Sequence, residues 1–158
     1  MSRKAAPNPM GDPYATIGFA LKQAQQALRS HMDAGLREIG LTTPQYAVLA
    51  CLAVAPGASN AALARRTFVT PQTMQSVLVT LERAGLITRT PHAEHGRVQA
   101  TDLTANGRKA LDAATAIVAD AEQCVRQAAA PLDPEVVVAL LQRVATALRQ
   151  QAPGAQAP

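Results

Sequence analysis

From residue 13 onward, apolar positions return at intervals of three and four. Ile17, Leu21, Ala24, Leu28, Met32, Gly35 and Ile39 fall on one face of a long helix that the spacing predicts over 13–39. Gly40 is placed to end it. Thr43-Pro44 reads as an N-cap with proline in the first turn, opening a second helix that carries Tyr46, Val48, Leu49 and Leu52 and stops near Pro56-Gly57. Ser59 caps a short third helix, Asn60 to about Arg66, with Leu63 facing inward. Thr70-Pro71 repeats the cap-and-proline signal and starts a fourth that runs to Ala84-Gly85.

The period then changes. Residues 86–90 and 97–101 are rich in β-branched side chains, and the glycine-bearing stretch 91–96 joins them, which predicts a β-hairpin. Thr104 caps a long helix through Leu111, Ala114, Val118, Ala121 and Val125. Asp133-Pro134 caps a last one, with Val137, Leu140, Leu141, Val144 and Leu148 on one stripe. The expected fold is therefore mainly α, with about six helices and a two-stranded hairpin. A short helix, a tight connection and a second capped helix form a helix-turn-helix, and the hairpin after it supplies a wing. The aliphatic stripes at both chain ends exceed what a small winged domain can bury, so the terminal helices are expected to form a dimer. The division expected is an arm at 1–12, a dimerisation helix at 13–42, the winged helix-turn-helix at 43–104, dimerisation helices at 105–150 and a frayed tail at 151–158.

Composition narrows the picture without changing it. The chain has 158 residues and four aromatics (Tyr14, Phe19, Tyr46, Phe68), so its core must be aliphatic. Two cysteines, Cys51 and Cys124, are too few and too far apart for a disulfide framework or a zinc knuckle. Ser2-Arg3-Lys4 is followed by Pro, Asn, Gly and Asp instead of an apolar run, and no apolar stretch reaches the ~20 residues of a membrane span. A cytoplasmic protein is expected.

Charge is more informative. Between Ser59 and Ala110 stand seven Lys/Arg and three Asp/Glu, an excess of four that equals the net charge of the whole chain. One third of the sequence thus holds all of the imbalance, as a face that meets a polyanion would. On the fourth helix, Met74, Val77, Leu78 and Leu81 share the buried side at 100° per residue. The opposite side carries Gln72, Ser76, Val79 and Arg83, flanked by Thr73, Gln75 and Thr80. Amides and hydroxyls near a helix N-terminus suit base edges in a major groove, and free backbone N–H groups suit phosphate. The candidate DNA contacts are Ser59, Arg65, Arg66, Thr70, Gln72, Thr73, Gln75, Ser76, Arg83, Arg89 and Arg97. Arg97, near the hairpin tip, has the reach for a minor groove. Arg65 and Arg66 suit phosphate better than bases. Arg89 would flank Arg97 on the other strand, and reads equally as a solvated strand residue or a phosphate contact.

The run Leu63-Ala64-Arg65-Arg66, Val69-Thr70-Pro71-Gln72-Thr73-Met74 and Leu81-Glu82-Arg83-Ala84-Gly85-Leu86-Ile87-Thr88-Arg89 resembles the recognition unit of the MarR family. Leu103-Thr104-Ala105-Asn106-Gly107 resembles the family's step from wing to next helix, and the helix order matches over roughly 13–150. One departure is visible: the family wing carries Asp-x-Arg, and this chain has His95-Gly96-Arg97. His95 cannot brace the arginine as a carboxylate would, which leaves two expectations: Arg97 is less fixed, or His95 itself touches phosphate when protonated, with DNA affinity rising as pH drops through about 6.5. The resemblance implies a homodimer that binds a pseudo-palindromic operator with two recognition helices one DNA turn apart, acting as a repressor. It also implies a small aromatic or phenolic effector, for which His31, Arg37, Tyr46 and Cys51 are candidates, although packing or solvent exposure accounts for each of them more simply.

Other chemistries fit less well. His92-x-Glu94-His95 lacks the Pro-Cys-x-x-Cys partner of a zinc deaminase, and no metal or cofactor is expected. Cys51 lies in an apolar run, and Cys124 has only Arg126 nearby to favour a thiolate. No phosphate loop or nucleophile elbow occurs, so an enzyme is not expected. The competing class is a winged helix that docks protein, which salt discriminates: phosphate binding weakens steeply as salt rises, an apolar interface hardly at all.

Overall fold

The structure, a computed structural model, describes residues 11–91 and 99–151. A 3₁₀ turn at Pro13–Ala15 precedes six helices: α1 (Ile17–Glu38), α2 (Thr43–Val54), α3 (Asn60–Thr67), α4 (Pro71–Arg83), α5 (Ala105–Ala129) and α6 (Pro134–Gln150). Between α4 and α5, β1 (Ile87–Pro91) and β2 (Gln99–Leu103) pair antiparallel, with Ile87 opposite Leu103 and Pro91 opposite Gln99. The fold is a winged helix-turn-helix. The second strand runs two residues past the predicted end at 101, because Asp102 and Leu103 pair with Thr88 and Ile87.

Most helix starts follow from local side-chain chemistry. The hydroxyls of Ser59 and Thr70 accept from the N–H groups of Ala62 and Thr73, and Asp133 accepts from Glu135. The cap of α2 is one residue earlier than predicted. Thr42 holds it through a reciprocal pair, accepting from the Gln45 N–H while the Gln45 side chain accepts from the Thr42 N–H. Thr43 is thereby released to bond Asp33 of α1. At their C-termini α1 and α4 close on Gly40 and Gly85, both with positive φ, and the next residue's N–H returns to Leu36 and Leu81 respectively.

The chain divides into two compact units, residues 1–118 and 119–158, with the boundary inside α5. The first unit has an aliphatic core made by Leu36, Leu41, Val48, Leu49, Leu52, Leu63, Met74, Leu78, Leu81 and Ile87. α4 buries Met74, Leu78 and Leu81 as its periodicity requires, with Val77 half-buried. On α1 the predicted stripe is largely uncovered: Ile17, Ala24, Leu28 and Ile39 are exposed, and the residue that is buried is Leu36, outside that stripe. In the second unit, α6 likewise exposes Val136, Val138, Leu140, Leu141 and Leu148. No helix among the described residues is long and apolar enough to cross a membrane.

Candidate nucleic-acid interface

The core side of α4 fixes how its other side is displayed. With Met74, Leu78 and Leu81 inserted below, Gln72, Thr73, Gln75, Ser76, Thr80 and Arg83 are exposed together, and Val79 is half-buried at their edge. Thr70 caps the helix with its Oγ1 3.1 Å from the Thr73 nitrogen, and the two threonine hydroxyls are 2.9 Å apart. The Ser76 hydroxyl donates back to the Gln72 carbonyl and that of Thr80 to Ser76, so both rest on their own helix. Gln75 accepts at its Oε1 a hydrogen bond from Asn60 Nδ2 at 3.0 Å. Arg65 and Arg66 are exposed on the last turn of α3. The turn between α3 and α4 passes through Phe68, which sits in left-handed backbone (φ 57°) and is 86% exposed. That conformation lets the Val69 N–H reach the Ala64 carbonyl and reverses the chain tightly.

The wing is anchored to this helix pair at three points. Arg89 on β1 donates from Nε to Glu82 on α4 at 2.9 Å, with a second, short contact from its terminal nitrogen. Its side chain is only 13% exposed, so the guanidinium is turned toward α4 rather than outward. Arg89 thus braces the wing against α4 and is not a fully solvated strand residue. At the other strand, the Gly57 N–H donates to Asp102 Oδ1 at 2.8 Å and to the Thr101 carbonyl at 3.0 Å, tying β2 to the loop before α3. At the base, Thr104 donates from its hydroxyl to the Gly85 carbonyl and from its N–H to Leu86, and accepts from the Gly107 N–H. Gly107 is required there, because a Cβ would overlap the Leu86 carbonyl oxygen. This explains the Leu-Thr-x-x-Gly pattern physically.

Arg97, His95 and the His92-x-Glu94-His95 cluster lie outside the described residues, as do the arm at 1–10 and the tail at 152–158.

The four candidate effector residues are not brought together. Arg37 lines a cavity of about 290 Å³ with Arg29, Asp33, Leu41, Thr42 and Pro44. Tyr46 and Cys51 pack against the core, where burial pushes the Tyr46 phenol above its usual pKa, and His31 is exposed. A larger cavity of about 350 Å³, lined on its apolar side by Leu28, Met32, Ala47, Phe68 and Val69, has Gln25, Arg29, Thr43 and Thr67 as its polar residues. The two cavities share Arg29 and Pro44, beside which Asp33 accepts from the Thr43 N–H and hydroxyl and pairs with Arg29 at 3.5 Å. The Thr43 hydroxyl, foremost, holds the Asp33 carboxyl below its ordinary pKa against the opposing effect of burial, with the Thr43 N–H and Arg29 adding to it. Sequence reasoning missed Arg29 and Asp33; their i,i+4 spacing was the available signal.

Comparison with known proteins agrees with this arrangement. A profile of the MarR family matches residues 39–98. The chain is 40% identical over 108 residues to the HTH-type transcriptional repressor Rv2887 of Mycobacterium tuberculosis, covering 68% of this chain and 78% of that protein. Among solved structures it is similar to the MarR family protein Rv2887 in complex with salicylic acid, at 34% identity and TM-score 0.62 over 84% of this chain and 96% of that one. It is also similar to the transcriptional repressor CouR bound to a 23-mer DNA duplex, at 28% identity and TM-score 0.73 over 91% of this chain and 100% of that one. The chain belongs to the MarR family: it is a winged helix-turn-helix, DNA-binding regulator of transcription and not an enzyme.

Proposed function

We propose that the chain acts in the cytoplasm as a repressor that binds a pseudo-palindromic operator as a homodimer and is released by a small aromatic or phenolic effector. The observation that carries the reading is the exposed polar face of α4, displayed by a buried opposite face beside an anchored wing. Gln72, Thr73, Gln75 and Ser76 read base edges in the major groove. Ser59, Thr70, Arg65, Arg66 and Arg83 serve the phosphates, and Arg97 reaches the minor groove from the wing. Replacing Gln72 or Ser76 by Ala relaxes base preference by about 1–3 kcal/mol at the contacted position. Selectivity unchanged in both variants would remove their assignment as base readers.

A second copy of the chain covers the uncovered apolar faces of α1 and α6, since exposed apolar side chains on this scale mark an association surface. Twofold pairing of the chains places two α4 helices on successive turns of one face of DNA and accounts for operator symmetry.

The effector reading is supported by the relative whose structure holds salicylic acid, and by the cavity of about 350 Å³ beside Phe68. Its apolar wall and the Arg29 guanidinium suit a small aromatic acid, the ring against Leu28, Met32 and Val69 and the carboxylate on Arg29. Arg37 belongs to the neighbouring cavity, and the earlier candidates His31, Tyr46 and Cys51 line neither of the two. Arg29→Ala is expected to leave operator binding intact while raising the salicylate concentration needed for release at least tenfold. An unchanged response would place the effector elsewhere. The alternative, a winged helix that docks protein, is favoured by no feature of α4, whose outer face is polar.

A further inference from the structure

One side chain outside the expected set of contacts touches that set directly. Asn60, the first residue of α3, donates from Nδ2 to Oε1 of Gln75 on α4 at 3.0 Å. Its own Oδ1 is buried with no hydrogen-bond partner. The two facts together fix which way both amides point. Turning Asn60 over would bury an NH₂ group with two unmet donors, whereas an under-satisfied carbonyl oxygen is the better tolerated defect. Nδ2 therefore faces out to Gln75, and the oxygen end of the Gln75 amide is held against α3.

We propose that Asn60 is a positioning residue that presets Gln75 to read adenine, an inference that rests on α4 entering the major groove. An amide oxygen has two lone pairs. Asn60 occupies one. The remaining lone pair and the neighbouring N–H form an edge with an acceptor and a donor side by side, which matches the N6 donor and N7 acceptor of adenine. Guanine offers two acceptors on that edge and cytosine a single donor, so neither satisfies both groups. An unbraced glutamine would turn its amide freely, aim its NH₂ group at guanine as readily, and lose rotamer freedom on binding. Asn60 removes that freedom before DNA arrives.

The test measures wild-type, Gln75→Ala, Asn60→Ala and Asn60→Asp protein against a panel of operators carrying each base at each half-site position. Gln75→Ala identifies the position that Gln75 reads. There the wild type is expected to prefer adenine by about 5- to 150-fold, and 7-deazaadenine, which lacks the N7 acceptor, to lose most of that preference. Asn60→Ala is expected to lose at least half of it, on a logarithmic scale, at that position alone and with the salt dependence unchanged. Asn60→Asp keeps the shape and removes the donor, so it should lose the same preference; its added charge weakens binding to all sequences equally and cancels in the ratio. Preference for guanine or thymine at the Gln75 position, or full adenine preference in both Asn60 variants, would overturn the proposal. If Gln75→Ala changes no preference while the wild type still discriminates, the proposal falls and DNA reading by the rest of α4 stands. If the wild type itself shows no base preference, the reading of the interface fails with it.

Discussion

Arg89 is one of the basic residues that make the second third of the chain electropositive, yet its guanidinium is spent on Glu82. A phosphate contact and an internal strut leave different signatures. Losing a phosphate contact lowers the slope of log K against log salt by about one. Arg89→Ala is expected to leave that slope unchanged, to lower stability by about 0.5–1.5 kcal/mol and to weaken all operators alike as the wing loosens. Glu82→Ala should reproduce the effect, and the double variant should cost no more than either single one. A slope reduced by one in Arg89→Ala would return the residue to the DNA contacts. Asp33 offers a pH test. Its carboxyl is held below the ordinary range by Thr43 and Arg29, so it adds stability above about pH 4 that is lost as pH falls through the lowered folded-state pKa. Asp33→Asn is expected to melt at a lower temperature than wild type near neutrality, with the gap closing below about pH 4. A gap that stays constant to pH 2.5 would mean that the carboxylate's charge contributes nothing.

At the scale of elements, junctions matter more than helix lengths. Thr104 and Gly107 join β2 to α5 and close on the carbonyls of Gly85 and Leu86. A Cβ at 107 cannot be accommodated by moving a flexible side chain, because what it meets is backbone. Gly107→Ala is therefore expected to cost more than 2 kcal/mol, above the range of an exposed glycine-to-alanine change, and to loosen the wing. A melting temperature within a few degrees of wild type would contradict that packing. The helices, their order and most of their caps were legible in the sequence because they depend on neighbours within four residues: Ser59, Thr70 and Asp133 each act on the N–H two or three positions ahead. The α2 cap falls one residue earlier because Thr42, not Thr43, stands three residues before Gln45 and closes a capping box with it, while Thr43 turns to the distant Asp33. The strut at Arg89, the Asn60–Gln75 bond and the cavity at Phe68 were not legible because each joins residues whose proximity is set by how α1, α3, α4 and β1 pack, not by spacing along the chain.

For the molecule as a whole, the uncovered apolar faces of α1 and α6 and the single basic lobe point the same way, to a paired protein that meets a long polyanion. Leu140→Pro breaks α6 in its middle and is expected to give a monomer by light scattering, while the operator half-site is bound at least tenfold more weakly than the full site by wild type. A variant that remains dimeric would place the interface elsewhere. The most direct test of the account is a fluorescence-anisotropy titration of the protein against the DNA upstream of its own gene and against a scrambled duplex, each at 50 and 200 mM salt. The expected result is tighter binding to the native probe and a loss of two or more orders of magnitude in affinity between the two salt concentrations, as several phosphate contacts require. Equal binding to both probes with no dependence on salt would contradict it, and would assign the polar face of α4 to a protein partner instead.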